Sequence, residues 1–190
     1  MANEAAKVVP LRNAELTPYQ LLAGCPSPAM QELCARIKRV AHARSILIMG
    51  ESGVGKELVA KAVHSLGLRS NARLVDVNCG GLSQELIVSH FCGHVRGAFT
   101  GARDERTGFF EEAHNGTLFL DELSEFPLIS QASLLHAIGG KPFRKVGGTK
   151  PIVVDMAIIA ATNRDLPTMI QQGQFRLDLY HRLNLIPIKV

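Results

Sequence analysis

From Ser27 to Arg44, Met30, Leu33, Cys34, Ile37 and Val40 fall on one stripe at helical spacing, which predicts an amphipathic helix. The period then changes. Ser45 to Met49 is a short apolar run closed by Gly50, the pattern of a strand buried on both faces. A glycine-rich turn leads into an expected helix from about Lys56 to Leu66, and Leu74 to Asn78 alternates as a second strand. Further along, Ser83 to His90 is expected to be helical and Gly93 to Gly101 a glycine-rich loop. Thr117 to Leu120 is the third strand and Pro127 to Ile138 a helix. Lys141 to Pro151 reads as a basic loop or hairpin, Val154 to Ala161 as the fourth strand and Ile186 to Val190 as the fifth. Strands alternating with helices predict an α/β fold with a mainly parallel five-stranded sheet flanked by helices. Residues 1 to about 20 are aperiodic and are expected to form a tail or linker before a core at 21–190.

Composition narrows this picture. The 190 residues are 46% hydrophobic and 20% charged, which suits one folded domain and excludes a disordered chain. A net charge of +4, scattered along the chain, argues for a mildly basic surface over a dedicated nucleic-acid patch. Cys25, Cys34, Cys79 and Cys92 form no CxxC pair, so neither a zinc site nor a disulfide framework is expected. The N-terminal residues carry no apolar signal region, and no apolar run approaches the roughly 20 residues that span a bilayer. A cytoplasmic protein is the expectation.

Chemistry enters at Gly50-Glu51-Ser52-Gly53-Val54-Gly55-Lys56-Glu57, a G-x-x-x-x-G-K segment between an expected strand and an expected helix. Such glycines turn backbone N–H groups toward phosphates, the helix N-terminus adds positive potential, and Lys56 supplies a point charge. Glu57 stands where the general pattern has a magnesium-ligating Ser or Thr. Downstream, Gly116 to Glu122 is an apolar strand ending in two carboxylates. Asp121 is the candidate ligand of Mg2+ beside ATP, and Glu122 the candidate that polarises the attacking water. Asn163 ends the next strand and is a candidate to hold that water or sense the γ-phosphate. Asn78 ends the second strand and is a candidate to restrain Glu122; either asparagine also reads as an ordinary strand terminator.

These residues closely resemble the AAA+ central domain of sigma-54-dependent transcriptional activators, a P-loop NTPase, over roughly residues 21 to 190. Gly50 to Glu57 is similar to that family's Walker A, Glu57 included. Gly97-Ala98-Phe99-Thr100-Gly101-Ala102 reproduces its GAFTGA signature. Gly116 to Glu122 is similar to its Walker B, Ala160 to Asn163 to its sensor I, and Phe175 to Arg182 to its arginine-finger segment. The resemblance implies a ring, commonly a hexamer, with ATP between subunits, doing work on closed complexes of RNA polymerase holoenzyme carrying sigma-54. It implies that Phe99 and Thr100 contact sigma-54, that Arg176 and Arg182 reach a neighbour's γ-phosphate, and that Asn78 pairs with Glu122. Read from the residues alone, Phe99 has the alternative of packing into the core, and Arg176 and Arg182 of lying on a solvated helix face or pairing with Asp178.

Some positions depart from the family pattern. Ser89 to Cys92 stands where an acidic residue and Leu-Phe are usual, Ala157 and Leu177 replace an arginine and a glutamate, and Ser133 and His136 replace basic residues. The expectation is also that the helical lid and helix-turn-helix of such activators are absent, the chain stopping after its last strand. That leaves ATPase activity uncertain, with weak binding and slow turnover expected. The alternatives are a nucleotide-binding module of little activity, or another AAA+ remodeller.

Overall fold

In the computed structural model, residues 16–83, 85–184 and 186–190 are described. The tail reading of residues 1–15, and position 84 of the expected helix from Ser83, lie outside them. Five strands, β1 (Ser45–Met49), β2 (Leu74–Asn78), β3 (Thr117–Asp121), β4 (Ala157–Thr162) and β5 (Pro187–Lys189), form one sheet in the order β2-β3-β4-β1-β5. Every pairing is parallel. The central strands β1, β3 and β4 are buried nearly throughout, so both faces need covering, and helices do this. One face packs Leu47, Leu118, Leu120, Ile158 and Ala160 against Phe91, Phe110, Leu134 and Leu179. The other packs Ile46, Ile48, Phe119 and Ile159 against Ile37, Val59 and Val63.

The helices are α1 (Pro18–Ala23), α2 (Pro28–Val40), α3 (Lys56–Leu66), α4 (Ile87–Cys92), α5 (Phe109–Glu112), α6 (Leu128–Ile138), α7 (Leu166–Gln171) and α8 (Leu177–Leu183). Helix α1 falls across the segment expected to be a tail. A capping box between Thr17 and Gln20 starts it, and Leu22 anchors it in the core; six residues are too few to show a helical period. Helix α4 begins and ends later than expected, stopping at Gly93, whose φ is 77°. The expected hairpin between Lys141 and Pro151 reduces to one antiparallel bridge, Phe143 to Ile152. Among the described residues no helix is long and apolar enough to cross a membrane.

At the foot of the sheet, His64 of α3 meets the Thr117 hydroxyl of β3, 3.0 Å from its Nδ1. Burial lowers the His64 pKa below its ordinary 6.5. The unfolded chain therefore takes up this proton first, so stability is full above pH 6.5 and declines as pH falls through 6.5 toward the folded value. His90 is shifted the same way, chiefly by burial. The melting temperature is expected to fall between pH 7 and about pH 5.5, and His64→Gln to flatten that slope. A substituted protein with an unchanged slope in a thermal-melt series would remove His64 from this account.

Candidate nucleotide site

The carboxyl ends of β1, β3 and β4 lie side by side, because β4 pairs with both of the others. In open α/β sheets, that edge is where ligands bind. Here it carries a cleft of about 280 Å³ lined by Ser52, Gly53, Gly55, Lys56, Glu57, Asp121, Glu122 and Asn163. Three segments expected to act together, after β1, β3 and β4, thus meet in one cleft. Gly53 and Gly55 have φ of 79° and 93°, in the left-handed region that favours glycine, and no atom lies within 4 Å of where a Cβ would stand. Gly55 caps α3, so the helix begins at Lys56 with its N–H groups facing the cleft. The Lys56 ammonium is mostly buried and donates to the carbonyls of Glu51 at 2.6 Å and Gly50 at 3.1 Å. Val54 is exposed at the loop's tip.

On the opposite wall, Asp121 Oδ1 accepts the Glu122 N–H at 2.9 Å. Glu122 itself has φ 51° and ψ 45°, a left-handed conformation unusual for a residue with a side chain. Such strain costs about 1–3 kcal/mol and persists where the surroundings impose it. It turns the chain sharply after β3. The Glu122 carboxylate lies over Gly80, where an added Cβ would come within 2.3 Å of its Oε2 and 3.3 Å of Asn78 Oδ1. Asn78 therefore sits beside Glu122, but its amide oxygen accepts from the N–H groups of Gly80 at 2.8 Å and Gly81 at 3.2 Å. Cys79, between them, is buried; burial, and then the charges of Asp121 and Glu122, push its thiol up to about 12.

Among the described residues, no three His, Cys, Asp or Glu side chains converge closely enough to hold a metal by themselves. Asp121 at the mouth of a phosphate-sized cleft suits Mg2+, which takes one or two carboxylates and completes its shell with phosphate and water.

The other expected residues lie elsewhere. Arg176 caps α8 and is held by Asp178 through two bonds, Nε to Oδ1 at 3.0 Å and Nη2 to Oδ2 at 2.7 Å. Together with Leu177 and His181 they line a separate surface depression, and Arg182 is exposed on the same helix. Gly97 to Ala102 forms a tight loop closed by the Gly97 N–H donating to the Ala102 carbonyl at 2.8 Å. Gly97 and Gly101 have φ of 78° and 102°. Phe99 is half-buried, its ring edge-on to His94 at 5.1 Å between centroids, neither in the core nor free; Thr100 is exposed. Ala98 packs against Gly147, and Ala102 is buried.

The neck of this loop holds a contact that no motif in the sequence announces. There, Gly93 and Gly108 cross backbone on backbone. A Cβ on Gly108 would fall 2.3 Å from Gly93 N and 2.4 Å from the Phe91 carbonyl oxygen, and one on Gly93 would fall 2.5 Å from the Arg106 carbonyl oxygen. Lys145 braces the same region, 2.8 Å from Glu105 and 3.2 Å from Glu111.

Comparison with known proteins agrees with this geometry. The chain is 48% identical over 161 residues to Regulatory protein AtoC of Escherichia coli (strain K12), covering 84% of this chain and 35% of AtoC. Crystal structures of NtrX from Brucella abortus superpose with TM-scores of 0.79 for its complex with ADP and 0.77 for its complex with ATP. Identity is 39% in both, over 87% of this chain and 36% or 37% of NtrX. The chain thus spans about a third of these relatives. The P-loop NTPase domain of the Sigma-54 transport activator from E. coli, 15% identical with a TM-score of 0.56, shares the fold, covering 85% of this chain and 93% of that one. The family model described as the Sigma-54 interaction domain matches residues 24–189, and the chain belongs to that family, with the P-loop NTPase (AAA+) fold.

Proposed function

We propose that this chain is the ATP-binding and ATP-hydrolysing core of a sigma-54-interacting transcriptional activator, one that remodels the closed complex of RNA polymerase. The observation that carries this is the single cleft holding Lys56, Asp121, Glu122 and Asn163 at the carboxyl edge of the sheet. In that cleft the N–H groups of the loop and the start of α3 bind the β- and γ-phosphates, and Lys56 leaves its carbonyl partners to join them. Asp121 would hold Mg2+, which would supply positive charge against the phosphate oxygens. Glu122 takes a proton from the attacking water, Asn163 orients it, and Asn78 limits where the Glu122 carboxylate can swing.

Arg176 and Arg182, away from this cleft, act on the γ-phosphate of a neighbour in a ring of subunits, a hexamer as the family resemblance implies. Phe99 and Thr100, at the tip of a loop closed at both ends, face sigma-54 in the holoenzyme. NtrX, 39% identical, has been crystallised with both ADP and ATP, which supports the nucleotide reading.

The test is a melt with ATP and Mg2+. Ligand at ten times its Kd adds about 1.4 kcal/mol, which raises the melting temperature of a domain this size by roughly 3–6 °C. Lys56→Ala is expected to abolish that rise. A melting temperature indifferent to millimolar ATP and Mg2+ would overturn the proposal.

A further inference from the structure

Resting on the nucleotide reading above, we propose that Lys61 is a positioning residue of this site, drawing the Glu57 carboxylate away from the phosphate cradle and cancelling its charge. The problem it solves is visible in the cleft. Glu57 is the second residue of α3, in the turn whose free N–H groups would receive phosphate. A carboxylate there stabilises the helix, but it is itself an anion competing for the same positive end. The walls around it carry three more acids: Asp121 and Glu122 in the cleft, and Asp76 on β2, whose carboxyl is pushed up chiefly by burial. Among the described residues that line the cleft, Lys56, which the phosphates require, is the one cation, and Lys61 stands beside Glu57 and Asp76.

Lys61 lies one helical turn beyond Glu57 and pairs with its Oε1, the (i, i+4) arrangement with the acid on the N-terminal side. The pair pulls the carboxylate down the outside of the helix. The same ammonium is 3.8 Å from Asp76, so one cation answers two acids on neighbouring elements. The bond to Glu57, the largest influence, raises the Lys61 pKa above its ordinary value, so the ammonium is charged at neutral pH. Both side chains are substantially exposed, 40% and 58%, and a pair so exposed adds little to stability. Its effect is on what the cleft attracts.

The experiment measures affinity for ADP, with Mg2+ present and absent, by titration calorimetry at low and high salt. Lys61→Met is expected to weaken binding roughly 3- to 10-fold at low salt, with the loss shrinking as salt screens it. The double variant Lys61→Met, Glu57→Gln is expected to regain the lost affinity, and Lys61→Arg to keep it. Melting without nucleotide should hardly move in Lys61→Met and Lys61→Arg, which separates positioning from support of the fold. Wild-type affinity in Lys61→Met, or a loss that Glu57→Gln leaves in place, overturns the assignment of Lys61 and spares the nucleotide site. Failure of the unsubstituted chain to bind ADP overturns both.

Discussion

Replacing Glu122 by Gln is expected to lower ATP turnover by roughly 10²- to 10⁴-fold, the loss that follows removal of a general base, while nucleotide still binds. The substitution isolates one property. Gln has nearly the shape of Glu and meets the same left-handed backbone at φ 51°, so strain is held constant while charge and basicity go. Its amide also fits over Gly80, where there is no side chain to collide with. In the proposed scheme binding rests on Lys56, the loop N–H groups and Asp121, none of which changes. Phosphate release measured beside an ADP or ATP titration reads the two separately. Turnover within a few-fold of wild type would move the base elsewhere, with Asp121 the next candidate in the cleft.

Gly108→Ala carries the other large effect, on a feature far from the phosphates. Gly108 has an ordinary backbone conformation, with φ of −92°, so the obstacle is space and not torsion. A methyl there would overlap Gly93 N, the Phe91 carbonyl oxygen and the Cys92 carbonyl carbon, all within 2.5 Å. These are main-chain atoms, with no flexible end to swing aside. Either the neck opens, taking loop 94–107 with it, or the contact between α4 and α5 parts. Both routes disturb Phe91, Phe109 and Phe110, which meet edge to face and tilted at 5.3 Å. A cost of roughly 2–4 kcal/mol is expected, a melting temperature lower by roughly 5–15 °C. A melt within a degree or two of wild type would mean that the neck is slack.

The parts of this fold written in the sequence are those governed by burial. Strands β1, β3 and β4 announce themselves as apolar runs because the parallel sheet hides both of their faces. The phosphate loop is legible for a different reason: glycines at 53 and 55 answer to a backbone requirement that few other residues meet. Short helices are harder. Helix α5 has four residues, fewer than two turns, so no period forms; α7 carries only Asp165 followed by Pro167, a start signal with too short a helix behind it to show a period. The crossing of Gly93 and Gly108 leaves no local trace at all, since each glycine matters only because of the other. Asn78 is expected from the sequence to restrain Glu122, but its amide oxygen accepts from the N–H groups of Gly80 and Gly81, a turn that no spacing rule foretells.

The pairing of Arg176 with Asp178 bears on timing. A guanidinium already gripped at two points by a carboxylate offers little surplus charge to any other anion. For it to serve an adjoining subunit, Asp178 must first let go, and a highly charged phosphate close at hand is what would persuade it. In that proposed role the carboxylate would work as a safety catch, keeping the cation quiet until the right company arrives.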